Sequence, residues 1–404
     1  MEPQKPNIAI KELLDFQGFN LCGFLKEKDI WEKEQYVFCF KRKHKTGTCP
    51  ECKHERRKYE EKYVRDIRDL NICGQKCILR MEFIKINCSC GYRGMEEISF
   101  LGKYQRVTSR LADFVCKLCE RMSISDVART LCLDWKTVKR IDKENLKSTV
   151  KGLENANPKR IGIDEIASHK GHNYLTIVRD LEGGVIWIGD KRKEETLDKF
   201  FAELGKEKSS KIELAVMDMW DPYIASVNEN SPANIVFDKF HVSKVINECL
   251  DSVRKREFAK ASDEERIDMK HKRFLILSRE NHLDKEEKET LNVLMKKNKV
   301  LYQAYLLKEE ILNIFSTGTW NDAVSRIETW IQNVSESGIE DFNTAVNRIK
   351  RYFYGIINYF RYKVTNAGSE GFNTKINVIK RKAYGFRDIE YFRLKILQSC
   401  SMKI

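Results

Sequence analysis

Long apolar segments, internal repeats and low-complexity tracts are all missing from this chain of 404 residues. No apolar run approaches the roughly 20 residues that span a membrane, so no membrane protein is expected. The N-terminal stretch MEPQKPNIAIKELLDF lacks the apolar core of a signal peptide. These absences predict a cytoplasmic protein, and the length predicts two to four domains.

Cysteine, by contrast, is abundant. The chain has 13 cysteines, an odd number, and most of them precede residue 133. Because cytosolic thiols stay reduced, a metal site near the N-terminus explains them better than a disulfide framework. Cys49-x-x-Cys52 is typical of a zinc knuckle, and we expect Cys88 and Cys90 as the third and fourth zinc ligands. The last two ligands have alternatives in Cys73, Cys77 and His54.

Positive charge is in excess and unevenly spread, with a net charge of +14. Counting Lys and Arg against Asp and Glu, residues 1–150 carry +9, residues 151–238 carry −4 and residues 239–404 carry +9. A basic chain with an acidic middle indicates a nucleic-acid binder whose central part does something other than hold phosphate. A lysine-rich surface without such a function is the plainer alternative.

Patterning changes from strand-like to helical near residue 108. Strands are predicted over 36–43, 63–70 and 77–92. Amphipathic helices are predicted over 108–122, 123–131 and 135–147. A tight turn joins the last two helices, and the final one carries Lys136, Lys139 and Arg140. This pattern is typical of a helix-turn-helix whose recognition helix binds DNA. A plain helical hairpin would share it.

Residues 160–238 alternate between strand and helix signals. Strands are predicted over 160–166, 173–180, 184–190, 212–220 and 233–238, with helices over 193–204 and 221–230. This order predicts a mixed α/β sheet. Residues 240–350 are charged and helical without a strand signal, so we expect an α-helical insertion there.

Three apolar runs of this sheet end in acids, at Asp164, Asp218 and Asp238. Carboxylates at strand ends are open to solvent while the strands hold them rigidly, which suits hard cations such as Mg²⁺. Two such ions about 3.5–4 Å apart stabilise the attacking and leaving oxygens of phosphodiester displacement. A single strand-end acid is usually bound by backbone or solvent, but three in one sheet favour a metal site.

Two neighbouring acids compete for these roles. Glu165 adjoins Asp164, but alternation along a strand sends adjacent side chains to opposite faces, so only one is expected to face a metal. Asp221 precedes Pro222 and is expected to cap a helix.

A fourth acid, Glu370, opens a helix after the loop that contains Asn366. It shares one helical face with Asn373, Thr374 and Asn377, whereas an ordinary solvated face would carry Lys or Glu. This sparse polar face indicates close approach to a ligand or to DNA. We expect three residues of this helix to contact DNA: Asn373, Lys380 and Arg381.

Four segments together resemble the bacterial insertion-sequence transposases of the ISL-three family, of the DDE class: IGIDEIA, MDMWDPY, FDKFHV and SEGFNTKINVIKRKAYGF. The resemblance covers essentially the whole chain. It implies an RNase H-like core in which Asp164, Asp218 and Glu370 bind two Mg²⁺ or Mn²⁺ ions. Asp238-x-x-His241 resembles a secondary motif near the active site; a capping Asp with a surface His is the alternative. Cys88-Ser89-Cys90 departs from the family's second C-x-x-C.

The expected fold is therefore an α/β RNase H-like catalytic core with a large α-helical insertion, preceded by a zinc-finger domain and a helix-turn-helix domain. The predicted segments are 1–100 for zinc, 101–155 for the helix-turn-helix, 156–240 and 351–404 for the core, and 241–350 for the insertion.

The predicted function is DNA transposition. The resemblance implies binding to the terminal inverted repeats of an insertion sequence, Mg²⁺-dependent cleavage and strand transfer, and a homodimer or higher oligomer on DNA. One alternative is a non-catalytic DNA-binding repressor, which the intact acids disfavour. Another is an RNase H-like nuclease, which would need neither the insertion nor a sequence reader.

Overall fold

A computed structural model of the chain describes residues 8–30, 32–57, 59–102, 106–150, 153–169 and 173–401. The chain forms two units, one of Met1–Val150 with Lys380–Lys395 and one of Lys151–Ile379 with Ile396–Ile404. No helix within the described ranges is long and apolar enough to cross a membrane.

The first unit begins with a five-stranded sheet, and three of its strands overlap the strands predicted over 36–43, 63–70 and 77–92. Its elements are α1 (Ile8–Leu13), β1 (Phe19–Lys28), β2 (Glu34–Arg42), the ribbon strands β3 (Gly47–Thr48) and β4 (Glu55–Arg56), β5 (Tyr59–Ile72), β6 (Gln75–Asn87) and β7 (Arg93–Met95). The sheet order is β1-β2-β6-β5, with β7 paired to β6. Alternate residues of β6 point into the core, where Leu79, Met81 and Phe83 are fully buried.

Three helices follow in the same unit: α2 (Ser109–Cys119), α3 (Ile124–Leu131) and α4 (Trp135–Thr149). Thr108, Ser123 and Asp134 cap them, each accepting a hydrogen bond from a backbone N–H in the first turn. Their apolar faces meet in one cluster that includes Val115 and Val138. The predicted helices are therefore confirmed to within a few residues.

The predicted boundary near residue 100 lies inside the first unit. Arg68 of β5 donates to the carbonyl of Leu131 at 2.9 Å, and Thr108 donates to Asp69 at 2.6 Å. All four residues are buried. These bonds tie the helices to the sheet.

The second unit contains a mixed five-stranded sheet, as predicted. Its elements are β8 (Arg160–His169), β9 (Asn173–Asp180), β10 (Val185–Asp190), α5 (Glu194–Leu204), α6 (Lys206–Ser209), β11 (Leu214–Met217), α7 (Asp221–Asn230) and β12 (Asn234–Phe237). The order is β10-β9-β8-β11-β12. β8, β9 and β10 are antiparallel neighbours, whereas β11 runs parallel to both β8 and β12.

Residues 239–362, all of which are described, form helices and no strand. The α-helices are α8 (Lys239–Lys260), α9 (Asp263–Met269), α10 (Arg273–Leu277), α11 (Lys285–Lys297), α12 (Lys299–Thr317), α13 (Trp320–Ser337), α14 (Asn343–Arg351) and α15 (Phe353–Tyr362). Trp330 is fully buried among them, and its indole N–H donates to the carbonyl of Leu307 at 2.8 Å. Two further helices follow, α16 (Ala367–Lys382) and α17 (Ile389–Cys400).

The end of the chain divides differently from the predicted segment 351–404. Lys380–Lys395 belongs to the first unit, where Tyr391 and Lys395 both donate to the buried carboxylate of Asp142 on α4. These partners lie 249 and 253 positions beyond Asp142. Local patterning could not have revealed contacts at that separation.

Candidate functional site

Strand register brings three of the predicted acids into one row. Along the parallel pairs, Val216 is level with Gly162 and Met217 with Phe237. Continued by one or two residues, the same register sets Asp218 between Asp164 and Asp238. The three carboxylates thus arise from three adjacent strands at one edge of the unit's sheet.

Asp164 is not at a strand tip, which corrects the sequence expectation. It lies in the middle of β8, paired with Ile177 of β9. Asp218 and Asp238 do follow directly after β11 and β12. β8 continues past them because β9 still pairs with it after β11 has ended.

The Asp164 carboxylate is fixed by two donors. Its Oδ1 accepts the N–H of Glu165 at 2.7 Å, and its Oδ2 accepts the side-chain amide of Asn373 at 2.8 Å. Burial raises the pKa of Asp164 to about 6, and the nearby charge of Asp218 acts in the same direction. Asn373, which the sequence analysis assigned to DNA, is thus engaged by the acid itself.

Asp218 is held by His241, from the first turn of α8. The two side chains meet at 2.6 Å between Nε2 and Oδ1. Burial works against protonation of the ring, but the hydrogen bond and charge of Asp218 outweigh it and raise the pKa of His241. His241 therefore contacts Asp218 directly, with a side chain that is 38% exposed.

Asp238 has a positioning role on both of its oxygens. Oδ1 caps α8 through the N–H of Phe240 at 3.0 Å, and Oδ2 accepts the N–H of Asn366 at 3.1 Å. Arg179 in turn donates twice to the side-chain oxygen of Asn366, at 2.7 and 3.0 Å. Asp238 therefore caps α8, as the capping alternative predicted, and this network ties the start of α8 to the loop before α16.

A glycine allows that network to approach the sheet. A Cβ on Gly162 would lie 2.7 Å from the side-chain oxygen of Asn366 and 2.9 Å from Nε of Arg179. Any larger residue in this position of β8 would push the loop before α16 away from Asp164.

Glu370 lies in α16, but its side chain falls outside the part of the chain that the structure describes. The helix itself is placed by Asn373, whose amide contacts Asp164. Residues three apart share a helical face, so the backbone of Glu370 is on the face that carries Asn373.

The acids open into a cavity of about 420 Å³ within the second unit. Its lining carries Asp164, Glu165, Asp218 and His241, with the cations Arg192, Lys244 and Arg348 around them. Glu165 therefore lines the same cavity as Asp164, although strand alternation predicted that only one of them would. Asp221 lies one position inside α7, after Trp220 at the cap, and accepts from Arg351 and Tyr352.

A second cluster, of four cysteines, lies in the first unit. The sulfurs of Cys49, Cys52, Cys88 and Cys90 all lie within 4.8 Å of one another. Cys77 is instead buried in the apolar core of the sheet, and the His54 ring contacts the carbonyl of Cys52. The four predicted cysteines are thus brought together.

The basic residues of α4 lie in two rows along the helix surface. Lys139 pairs with Asp388 at 2.8 Å, Lys143 with Asp388 and Glu390 at 3.0 and 2.6 Å, and Lys147 with Glu390 at 2.8 Å. Lys136 and Arg140 are exposed on a neighbouring row of the helix. Lys139, predicted to bind DNA, is therefore held by an acid of its own unit.

Comparison with known families decides the identity. Residues 161–396 match the family described as Transposase, in its DDE ISL3 group, and residues 96–144 match the helix-turn-helix domain of transposase family ISL3. The first match alone covers more than half of the chain. The chain belongs to the ISL3 family of transposases.

Transposases of two insertion sequences align over most of this chain. The transposase for insertion sequence element IS1001 of Bordetella parapertussis is 35% identical over 360 residues, covering 87% of this chain and 88% of that protein. The transposase for insertion sequence element IS1557 of Mycobacterium tuberculosis is 27% identical over 315 residues, covering 72% and 71%.

Several residues that line or support the cavity of this ISL3 member could not be predicted from the sequence. Arg192 and Trp220 form one wall of the cavity, and Arg179 supports the loop before α16. Nothing in their local patterns sets them apart, because their contacts come from other segments of the chain. Lys380 and Arg381, predicted to contact DNA, lie in the last turn of α16, and Arg381 is exposed.

Proposed function

We propose that this ISL3 member binds the terminal inverted repeats of its insertion sequence and catalyses Mg²⁺-dependent DNA cleavage and strand transfer. The observation that carries the proposal is the cavity in which Asp164 and Asp218 meet on adjacent strands. Acids at its centre and cations around them match the charge pattern of a phosphodiester beside divalent ions. Asp164, Asp218 and Glu370 are the proposed catalytic acids of an RNase H-like core.

The donor set fits a hard divalent cation. Asp164 and Asp218 offer carboxylate oxygens from adjacent strands, and the raised pKa of Asp164 reflects a buried acid beside another acid. A cation between them would remove that repulsion. Bound Mg²⁺ would polarise the phosphate and lower the pKa of an attacking water.

The protein's own side chains hold this arrangement. Asn373 and the N–H of Glu165 orient the Asp164 carboxylate, and His241 orients Asp218. Glu370 completes the acid set from the face of α16 that already approaches Asp164. An RNase H-like sheet is expected to have three antiparallel strands followed by two parallel ones, which is the arrangement of β8–β10, β11 and β12. The helices from α8 to α15 would then be an insertion between this sheet and α16.

The first unit supplies the proposed metal-stabilised DNA-binding region. A tetrahedral zinc with bonds of about 2.3 Å sets its sulfurs about 3.8 Å apart. The separations of 3.4 Å for Cys52–Cys88 and 3.7 Å for Cys49–Cys90 are close to this value, so zinc fits the four thiolates. The helix-turn-helix would read the element ends, with two or more copies of the chain joining the two ends.

Single substitutions of the proposed acids test the catalytic assignment. Asp164→Asn, Asp218→Asn and Glu370→Gln should each reduce Mg²⁺-dependent cleavage and strand transfer by at least about a thousandfold, because the acids act as one set. Binding to element ends should persist, since it rests on the first unit. The assay uses end-bearing and random DNA fragments.

Asp180→Asn is the matched control. Asp180 ends β9 at the opposite edge of the same sheet, and the one side-chain hydrogen bond described for it is from the N–H of Glu182 to its Oδ1, a role that Asn also performs. This variant should retain full activity. If the Glu370→Gln protein kept near-normal strand transfer, that residue would lose its role; activity in all three acid variants would remove the proposed function.

A further inference from the structure

Glu165 presents a difficulty for a selective cation site. Its side chain lines the same cavity as Asp164 and Asp218. A further free carboxylate would raise the negative charge of the site and add oxygen ligands. Ca²⁺ takes six to eight such ligands, whereas Mg²⁺ keeps several waters and uses few carboxylates.

Arg192 forms an ion pair with the Glu165 carboxylate. Its Nη1 donates to Oε1 of Glu165 at 2.5 Å, and both side chains are about a third exposed or less. Two aromatic rings restrain the guanidinium, with centroids at 4.2 Å for Trp220 and 4.9 Å for Tyr174. The indole N–H of Trp220 also donates to the carbonyl of Arg192 at 3.3 Å. Such stacking fixes an arginine more firmly than an exposed ion pair does.

We propose that Arg192 is a positioning residue that withholds Glu165 from the catalytic cations and thereby restricts the site to the ligands suited to Mg²⁺. This inference rests on the proposed function, because it requires cations between Asp164 and Asp218. It assigns a purpose to a half-buried ion pair whose charges are partly removed from water.

The sign of each perturbation follows from charge. Loss of the guanidinium alone frees a carboxylate in the cavity, so cations should bind more tightly. Loss of the Glu165 carboxylate alone leaves an uncompensated guanidinium there, so cations should bind more weakly. Removing both groups together should return the affinity close to that of the unchanged protein. A purely structural role for Arg192 predicts no such cancellation.

The experiment measures cation affinity in the full chain without DNA. Tb³⁺ is titrated with excitation of tryptophan, because Trp220 lies in the cavity wall and can sensitise its luminescence; Mg²⁺ and Ca²⁺ are then titrated in competition. Signal that disappears in Asp164→Asn reports the site. Arg192→Gln should tighten Tb³⁺ and Ca²⁺ binding about tenfold and favour Ca²⁺ over Mg²⁺. Arg192→Lys, which retains the charge, should stay within about twofold.

Two further variants keep the inference testable if Arg192→Gln folds poorly. Glu165→Gln should weaken Tb³⁺ binding several-fold, and Glu165→Gln with Arg192→Gln should restore it. Arg326→Gln removes another arginine–carboxylate pair, to Asp322 within α13 and away from the cavity lining, and should leave Tb³⁺ binding unchanged. Wild-type protein without Asp164-dependent Tb³⁺ signal would count against the proposed cation site itself. Wild-type signal with unchanged affinity in Arg192→Gln or Glu165→Gln would overturn only the role of Arg192.

Discussion

Asp388 offers a sharp test of how α4 is held, because it combines two separable functions. Its carboxylate accepts the ammonium groups of Lys139 and Lys143 at 2.8 and 3.0 Å. It also caps α17, accepting the N–H of Tyr391 at 3.0 Å. Asp388→Asn removes the charge and keeps a good capping group, whereas Asp388→Ala removes both.

The expected costs follow from exposure and geometry. The Asp388 side chain is 24% exposed, so each ion pair is partly screened and contributes about 0.5–1 kcal/mol. Asp388→Asn should therefore destabilise the contact by about 1–2 kcal/mol. Asp388→Ala should add about 1 kcal/mol for the lost cap. Lys143 also pairs with Glu390, which keeps the loss near the lower figure.

Hydrogen exchange measures this local stability better than a melting curve, since a chain of two units need not unfold in one step. Amide protection over 135–149 and 389–395 should fall about five- to thirtyfold in Asp388→Asn. Asp134→Asn is the matched control: Asp134 caps α4 through Lys136 and Thr137 N–H groups without an ion pair among its described contacts. Its protection should stay within about twofold.

The same contact should depend on pH in a defined direction. Burial alone would raise the pKa of Asp388, but hydrogen bonds from Lys139, the Tyr391 backbone and Lys143 hold it well below its usual value. A depressed folded pKa stabilises above the unfolded value near 4 and is lost as pH falls further. The difference between wild type and Asp388→Asn should thus be complete above about pH 5 and shrink below about pH 4. Equal amide protection in Asp388→Asn and Asp134→Asn would refute the ion-pair reasoning. Lys139 would then again be a candidate for a DNA contact.

Two other predictions concern the first unit. Removal of zinc with a strong chelator should expose residues 47–56 and 88–95 to hydrogen exchange while the apolar core of the sheet persists. The reason is that the cysteines pack in a cluster separate from that core. Freshly purified, folded protein with no zinc by metal analysis would contradict the zinc site. Lys136→Ala and Arg140→Ala should each reduce the salt dependence of end binding by about one unit of slope, whereas Lys139→Ala should reduce it by less; equal slopes for all three variants would remove the distinction.

The positions of Asp218 and Asp238 could be predicted from sequence, because the end of an apolar run in the local sequence marks the end of a strand. Apolar runs that stop at Asp218 and Asp238 mark the ends of β11 and β12, and parallel register then aligns them without further information. The same rule misplaced Asp164. The length of β8 depends on its pairing with β9 and not only on its own apolar run.

The contacts of those acids could not be predicted, because each partner comes from a distant segment. Asn373 lies 209 positions after Asp164, and Asn366 lies 128 positions after Asp238. The sparse Asn-rich helical face predicted close approach to a ligand or to DNA, whereas Asn373 donates to Asp164. Whether that partner was DNA or a carboxylate of the same unit depended on how α16 packs, which periodicity does not encode.

Helix α4 shows the same limit of local patterning. Periodicity separates α4 into an apolar row with Val138 and Ile141 and several polar rows, and it predicts the helix well. Periodicity does not distinguish a row of lysines that binds phosphate from a row that pairs with acids about 245 positions later in the chain. Since Asp388 and Glu390 pair with the row that contains Lys139, the row of a lysine along the helix does not by itself predict whether that lysine binds DNA.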